Sequence, residues 1–226
     1  MERTGTVARS AAGAIACVAW GAILGQLALN FGNAPAEGKP LWLVPLQLYG
    51  YFTLWANTLV ALVAMRFALA RRGGDVLGRR GGGVLGRPGT LAATMVYIVV
   101  VGVIYNALLS GFRHLEGVPK LIDNLLHVVV PLAYPLWWLV CVRRGLLGWG
   151  SLVPALGFPL AYCLVAMGRG LLTGKYAYFF IDIGKYGVPQ VLLNIGGLVL
   201  LYAGLMAAVI AFDRWAARGA APAPAS

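Results

Sequence analysis

Six long apolar runs occupy most of this chain: Ala8–Phe31, Leu43–Phe67, Thr90–Phe112, Ile122–Val142, Ser151–Leu172 and Val188–Phe212. Crossing a hydrocarbon core of about 30 Å as a helix takes about 20 such residues. Lipid offers the backbone no hydrogen-bond partners, which leaves helices and closed barrels as the structures that can span it. A barrel would need segments of roughly ten residues with alternating polarity, and these runs are twice that length and apolar on all sides. Charged residues make up 11% of the chain, against about 25% in soluble domains. The expected fold class is therefore all-α, a polytopic membrane protein with six transmembrane helices. Residues 1–212 read as a single membrane domain. Residues 213–226, ending in Ala-Pro-Ala-Pro-Ala-Ser, read as a disordered cytoplasmic tail.

Arg3 and Arg9 ahead of an apolar run resemble a signal peptide. The run is about twice the length of an ordinary signal core, and it ends in Asn30-Phe31-Gly32-Asn33 without a clear cleavage site. A retained first helix is the expectation.

The net charge of +11 would point to nucleic acid in a soluble protein. Here its distribution explains it better. Taking alternate loops, one side carries Arg3, Arg9, Arg71, Arg72, Arg79, Arg80, Arg87, Arg143, Arg144, Arg214 and Arg218. The other carries Lys39, Arg113, Lys120, Lys175 and Lys185, with Arg169 near a helix end. The positive-inside rule then puts both termini in the cytoplasm. The basic, glycine-rich segment Arg71–Arg87 has no Gly-x-x-x-x-Gly-Lys pattern, so it reads as a connector against anionic lipid headgroups. No nucleic-acid partner is expected; membrane lipids are. Ala-, Gly- and Arg-rich usage points to a GC-rich bacterial genome, and hence to a plasma or inner membrane.

Polar residues inside a membrane span must find partners there, which makes them informative. They are Gln26, Gln47, Thr53, Asn57, Asn106, Asn124, His127 and Asn194. Interhelical hydrogen bonding accounts for Gln26, Asn106 and Asn194. His127 is the one histidine within a span, since His114 lies in a loop. It can serve as a structural hydrogen-bonding residue or as a base working near neutral pH. Two histidines, one of them in a loop, do not supply the axial pair of a bundle-bound haem or a multi-histidine metal site. Cys17, Cys141 and Cys163 show no Cys-x-x-Cys pairing. No cofactor and no metal are expected.

Thr53 and Asn57 lie four apart and share a helix face, as do Asn124 and His127, three apart. With a span starting at Leu43, Thr53 would sit about ten residues, or about 15 Å, inside its helix, and His127 about 8 Å inside a helix starting at Ile122. A membrane threonine most often bonds back to the carbonyl four residues earlier. Beside a base, its hydroxyl is also a nucleophile. Gly174-Lys175-Tyr176-Ala177-Tyr178-Phe179-Phe180-Ile181-Asp182 is either an interfacial aromatic belt or a lid over a site, with Arg169 and Asp182 able to pair.

These motifs, Tyr51-Phe52-Thr53 with Asn57, Leu125-Leu126-His127 with Pro131, and the aromatic run Gly174–Asp182, resemble the bacterial Pr6Pr membrane proteins. Those are similar in turn to the FAR-17a/androgen-induced membrane proteins of animals. The resemblance spans about Gln47 to Arg214 and keeps the motif order. It implies six helices and an intramembrane hydrolase that cleaves fatty acid esters of hydroxy fatty acids, with Thr53 as nucleophile and His127 as base. Asn57 or Asn124 would orient the imidazole or bind the oxyanion, and Arg169, Tyr178 and Asp182 would meet the substrate. The run Asp123-Asn124-Leu125-Leu126-His127 lacks the second histidine typical of the animal pattern. A lipid or small-solute transporter and a non-catalytic membrane scaffold are the competing readings, and oligomeric state stays open.

Overall fold

The computed structural model describes residues 2–70, 83–112 and 114–219. The middle of the arginine-rich connector (residues 71–82), Arg113 and the end of the tail lie outside them. Among the described residues the structure is helical without strands. Its elements are α1 (Glu2–Asn33), α2 (Leu43–Leu48), α3 (Phe52–Leu69), α4 (Pro88–Ile104), α5 (Gly117–Asn124), α6 (Val130–Cys141), α7 (Leu152–Thr173) and α8 (Ile183–Gly219). A π-helical turn, Tyr105–Leu109, extends α4, and another, Leu125–Val129, joins α5 to α6. Among the described residues six helices are long and apolar enough to cross a membrane: Gly5–Asn33, Phe52–Leu69, Pro88–Leu108, Gly117–Cys141, Trp149–Thr173 and Ile183–Arg218.

Three boundaries differ from expectation, each for a local reason. The second span starts at Phe52 because the chain breaks after α2, at Tyr49–Tyr51 around Gly50. Thr53 is therefore the second residue of its helix, not the eleventh. The fourth span starts at Gly117, so His127 lies ten residues into it. The last helix runs on to Gly219, past the expected end of the domain at Phe212, and buries Asp213 within it.

Small residues decide the closest pairing. Ala8, Ala12, Ala16, Ala19 and Ala22 form the buried stripe of α1, and α3 presents Ala56, Val60, Ala61 and Ala64 in return. Between helices in lipid, this close van der Waals approach replaces the hydrophobic drive available in water. The α4 helix sits at the centre, in contact with α3, α6, α7 and α8, and is buried almost all round from Leu91 to Val101. Aromatic side chains cross-link the bundle by bonding to backbone carbonyls: Trp137 to Ala8 at 2.9 Å, Tyr134 to Leu91 at 3.3 Å, and Tyr97 to Ala155. Leu164, Leu172, Leu193 and Leu200 on α7 and α8 are exposed, an apolar outer surface suited to lipid. The order of six antiparallel spans gathers three connections at one end: 34–51, 110–116 and 174–182. The described residues near both chain ends, residues 83–87 and the 142–148 connection lie at the other.

Candidate functional site

Pro131 shapes the helix that carries His127. Proline has no N–H, so the His127 carbonyl loses the donor expected four residues on. One residue earlier, the Val130 amide bonds to Leu125 across the π turn, which frees the Leu126 carbonyl as well. Two asparagines on neighbouring helices answer these two acceptors. Asn57 Nδ2 donates to the Leu126 carbonyl at 3.2 Å, and Asn106 Nδ2 donates to the His127 carbonyl at 3.0 Å. Gly102 permits the approach, since a Cβ there would lie 2.8 Å from Pro131 Cβ. Asn57 also donates to the Thr53 carbonyl at 2.9 Å. Its amide thus ties the turn before Thr53's helix interior to the turn of His127, and its nitrogen is committed to carbonyls. Turns of this π type recur at functional sites.

The imidazole is held from two sides. His127 Nδ1 lies 3.0 Å from the Asp123 carbonyl and 3.1 Å from Asp123 Oδ1. Two acceptors facing Nδ1 assign the proton to that nitrogen, which leaves Nε2 as the basic one in the neutral ring. Tyr105 stacks on the imidazole with centroids 3.5 Å apart and planes within 11°, and its hydroxyl donates to Asp123 Oδ1 at 2.5 Å. Lys120 is 4.0 Å from the other carboxylate oxygen, but it is half exposed and contributes little. Asp123 and Tyr105 were not expected from the sequence. Asp123-x-x-x-His127 is an i,i+4 pair on one helix face, the signal that could have found the first. Nothing in the sequence pairs Tyr105 with His127, because they meet across two helices.

Thr53 stands in the first turn of α3, where backbone N–H groups lack intrahelical partners. Tyr51 before it is extended and supplies no side-chain cap. The partner comes from far along the chain: the Phe52 amide donates to the Tyr178 hydroxyl at 3.1 Å. That hydroxyl also interacts with the Thr53 side chain, the Thr53 amide and the Tyr162 hydroxyl. Burial pushes the Tyr178 phenol up from its usual range, and these hydrogen bonds only partly oppose the rise, so it stays neutral.

Two cavities meet here. One, of about 640 Å³, is lined by Thr53, His127, Asp123, Arg169, Gln47 and Lys175, among others. The second, of about 100 Å³, is an apolar cleft between α4, α7 and α8, walled by residues such as Val101, Leu156 and Val199. Thr53, Tyr105 and Tyr178 line both. The aromatic run folds back over the larger cavity, and Tyr176 to Phe179 line it. Gly174, in the left-handed conformation at φ 68°, turns the chain back, and Tyr176 packs flat on Gly170 where no Cβ would fit. Arg169 reaches the helix break, its Nη1 donating to the Gln47 carbonyl at 3.4 Å and seated where a Gly50 Cβ would collide.

The remaining expected residues lie elsewhere. Asp182 caps α8, its Oδ1 accepting the Lys185 amide at 3.2 Å, and it lines neither cavity. Asn124 likewise is absent from both walls. Among the described residues no three His, Cys, Asp or Glu side chains gather in a way that could hold a metal ion.

The arrangement thus offers a hydroxyl, an oriented imidazole, a cation and a neutral phenol around one space. No family model, curated protein or solved structure matches this chain.

Proposed function

We propose that this chain is an intramembrane hydrolase of lipid esters such as fatty acid esters of hydroxy fatty acids. Thr53 acts as nucleophile and His127 as base. The observation that supports it most is the position of Thr53, on the wall between an apolar cleft and a polar cavity that also holds the Asp123–His127 pair. An acyl chain suits the cleft, and the polar remainder of the ester suits the cavity beside Arg169.

In this reading His127 Nε2 takes the Thr53 proton as the hydroxyl oxygen bonds to the ester carbonyl carbon. Collapse of the tetrahedral adduct expels the alcohol, which receives that proton from His127 and leaves an acyl-threonine. Water, deprotonated by His127, then releases the carboxylic acid and restores the hydroxyl. Asp123 orients the imidazole and stabilises its cation. The site opens at the end of the bundle opposite the termini. With the arginine-rich termini on the cytoplasmic side of a bacterial plasma or inner membrane, substrate comes from the outer leaflet.

The test is labelling of the detergent-solubilised protein with a fluorophosphonate probe, alongside an assay on long-chain lipid esters. Wild type labels and cleaves, and Thr53→Ala does neither. Labelling that persists in folded Thr53→Ala removes the nucleophile assignment. A second reading, a transporter of lipid or small solutes, draws on the chain breaks at Gly50, beside the cavity residues Gln47 and Tyr51, and at Gly187 within α8. Lipid movement in proteoliposomes without cleavage favours it, and neither activity favours a scaffold.

A further inference from the structure

We infer that Tyr178 is a further catalytic residue, whose hydroxyl donates to the oxygen that becomes negative when Thr53 attacks an ester. The inference rests on the hydrolase reading and supplies the oxyanion donor that attack by Thr53 requires. Asn57 lies against the same turn, but both of its amide contacts go to backbone carbonyls at 2.9 and 3.2 Å. Arg169 is held at the Gln47 carbonyl. Tyr178 accepts the amide of Phe52, the residue next to the nucleophile, at 3.1 Å and lines both cavities with Thr53.

Proton bookkeeping supports the assignment. The Tyr178 oxygen accepts the Phe52 amide at 3.1 Å and interacts with the Thr53 amide, both from the first turn of α3. A phenol whose oxygen accepts amide protons at a helix N-terminus is polarised toward donation. Because the oxygen accepts in the Phe52 bond, the phenol proton remains to be donated, and the neighbouring Tyr162 hydroxyl uses its own on the Gly50 carbonyl at 2.9 Å. Rotation about the phenol C–O bond aims the Tyr178 proton at a charge forming beside Thr53.

The ring is fixed before any substrate arrives. Tyr178 stacks parallel on Phe180, with centroids 5.2 Å apart and planes within 6°. It meets Tyr51 edge-on at 6.0 Å and Tyr162 at 6.5 Å. A donor held in place stabilises developing charge without reorganisation.

The step balances. As the Thr53 oxygen bonds to carbon, its proton passes to His127 and the carbonyl π pair moves onto oxygen, where Tyr178 donates. The pair returns as the alkoxy bond breaks, and the departing oxygen takes the proton from His127. Tyr178 lends a hydrogen bond throughout and ends unchanged.

The experiment compares wild type with Tyr178→Phe on a long-chain lipid ester, reading kcat, KM, probe-labelling rate and melting temperature. Removing such a donor lowers kcat about 10²-fold, with KM moving less than about threefold and the melting temperature kept. A kcat within about threefold of wild type in folded Tyr178→Phe overturns the inference and leaves the hydrolase reading standing. No cleavage by wild type overturns both. Should Tyr178→Phe fail to fold, 3,5-difluorotyrosine placed at position 178 keeps the shape and makes the phenol more acidic. A donor then gives a kcat profile that falls at lower pH on its alkaline side, and an unmoved profile rejects the role.

Discussion

The two ends of this bundle both bury polar groups, yet they use them differently. At the end near the termini, Asp213 Oδ2 accepts the Leu147 amide at 2.9 Å. Arg144 donates to the last carbonyls of α6, at Trp138 and Leu139, while lying over the Trp138 ring at 4.2 Å. Burial pulls the Arg144 guanidinium down from its usual range and the Asp213 charge pulls it back up. Arg9 likewise closes the carbonyl of Ala68 at 3.2 Å. These groups complete helix ends and a tight loop, and none of them lines either cavity. At the opposite end Asp123, His127, Tyr105, Thr53 and Arg169 are also held, but each presents part of its surface to the larger cavity. On the proposed reading, the polar residues that face space serve chemistry, and those consumed by backbone serve architecture.

That contrast can be broken by substitution, because the two ends should fail in different measurements. The largest effect is expected from His127→Ala. Ester cleavage falls by about 10³-fold, within the 10²–10⁴ range for a general base, while the melting temperature in detergent stays close to wild type. A large stability loss with proportionate activity would make His127 architectural. Asp213→Ala should do the reverse. It leaves the buried Leu147 amide unpaired and removes the charge near Arg144, costing about 2 kcal/mol in stability, and kcat on folded protein is unchanged. Reduced kcat there would show that the ends are coupled.

Asp123→Asn tests whether the imidazole is oriented by charge. Nδ1 still has the Asp123 backbone carbonyl at 3.0 Å, so a fall of about tenfold in kcat is expected, below the loss of the base itself. Equal losses in Asp123→Asn and His127→Ala would mean that the pair acts as one unit. The smallest effect is assigned to Gly50→Ala. Its Cβ would collide with the Arg169 guanidinium and crowd the Gln47 carbonyl oxygen at 2.9 Å, displacing the side chain and the carbonyl that anchors it. KM for esters bearing a free carboxylate should rise several-fold, by about 1 kcal/mol of binding, with neutral esters unaffected. A uniform change across both substrates would remove Arg169 from recognition.

Much of the architecture was legible along the chain. Hydropathy adds up locally, so runs such as Val188–Phe212 announce a span whatever packs beside them. His127 and Thr53 were legible too, as polar residues in apolar surroundings. Other features were not. The second span was read from Leu43, because Gly50 and Pro45 leave the average hydropathy high while the backbone breaks. The aromatic run was open between belt and lid, and only the fold brings Tyr178 to the first turn of α3. Asp182 looked like a partner for Arg169, yet its Oδ1 accepts the Lys185 amide in the first turn of α8, a local cap rather than a distant charge pair.

What the sequence by itself determined is the number of membrane helices, the unequal sharing of arginine between the two ends, and the few side chains able to do chemistry. Tertiary structure decided which of them meet. Pro131 frees two carbonyls, but Asn57 and Asn106 reach them only because α3 and α4 pack against that turn. Tyr105 lies over His127 only where two π turns face each other. Apolarity is a property of each residue and sums along the chain; a hydrogen bond or a cavity wall belongs to neighbours that only folding brings together.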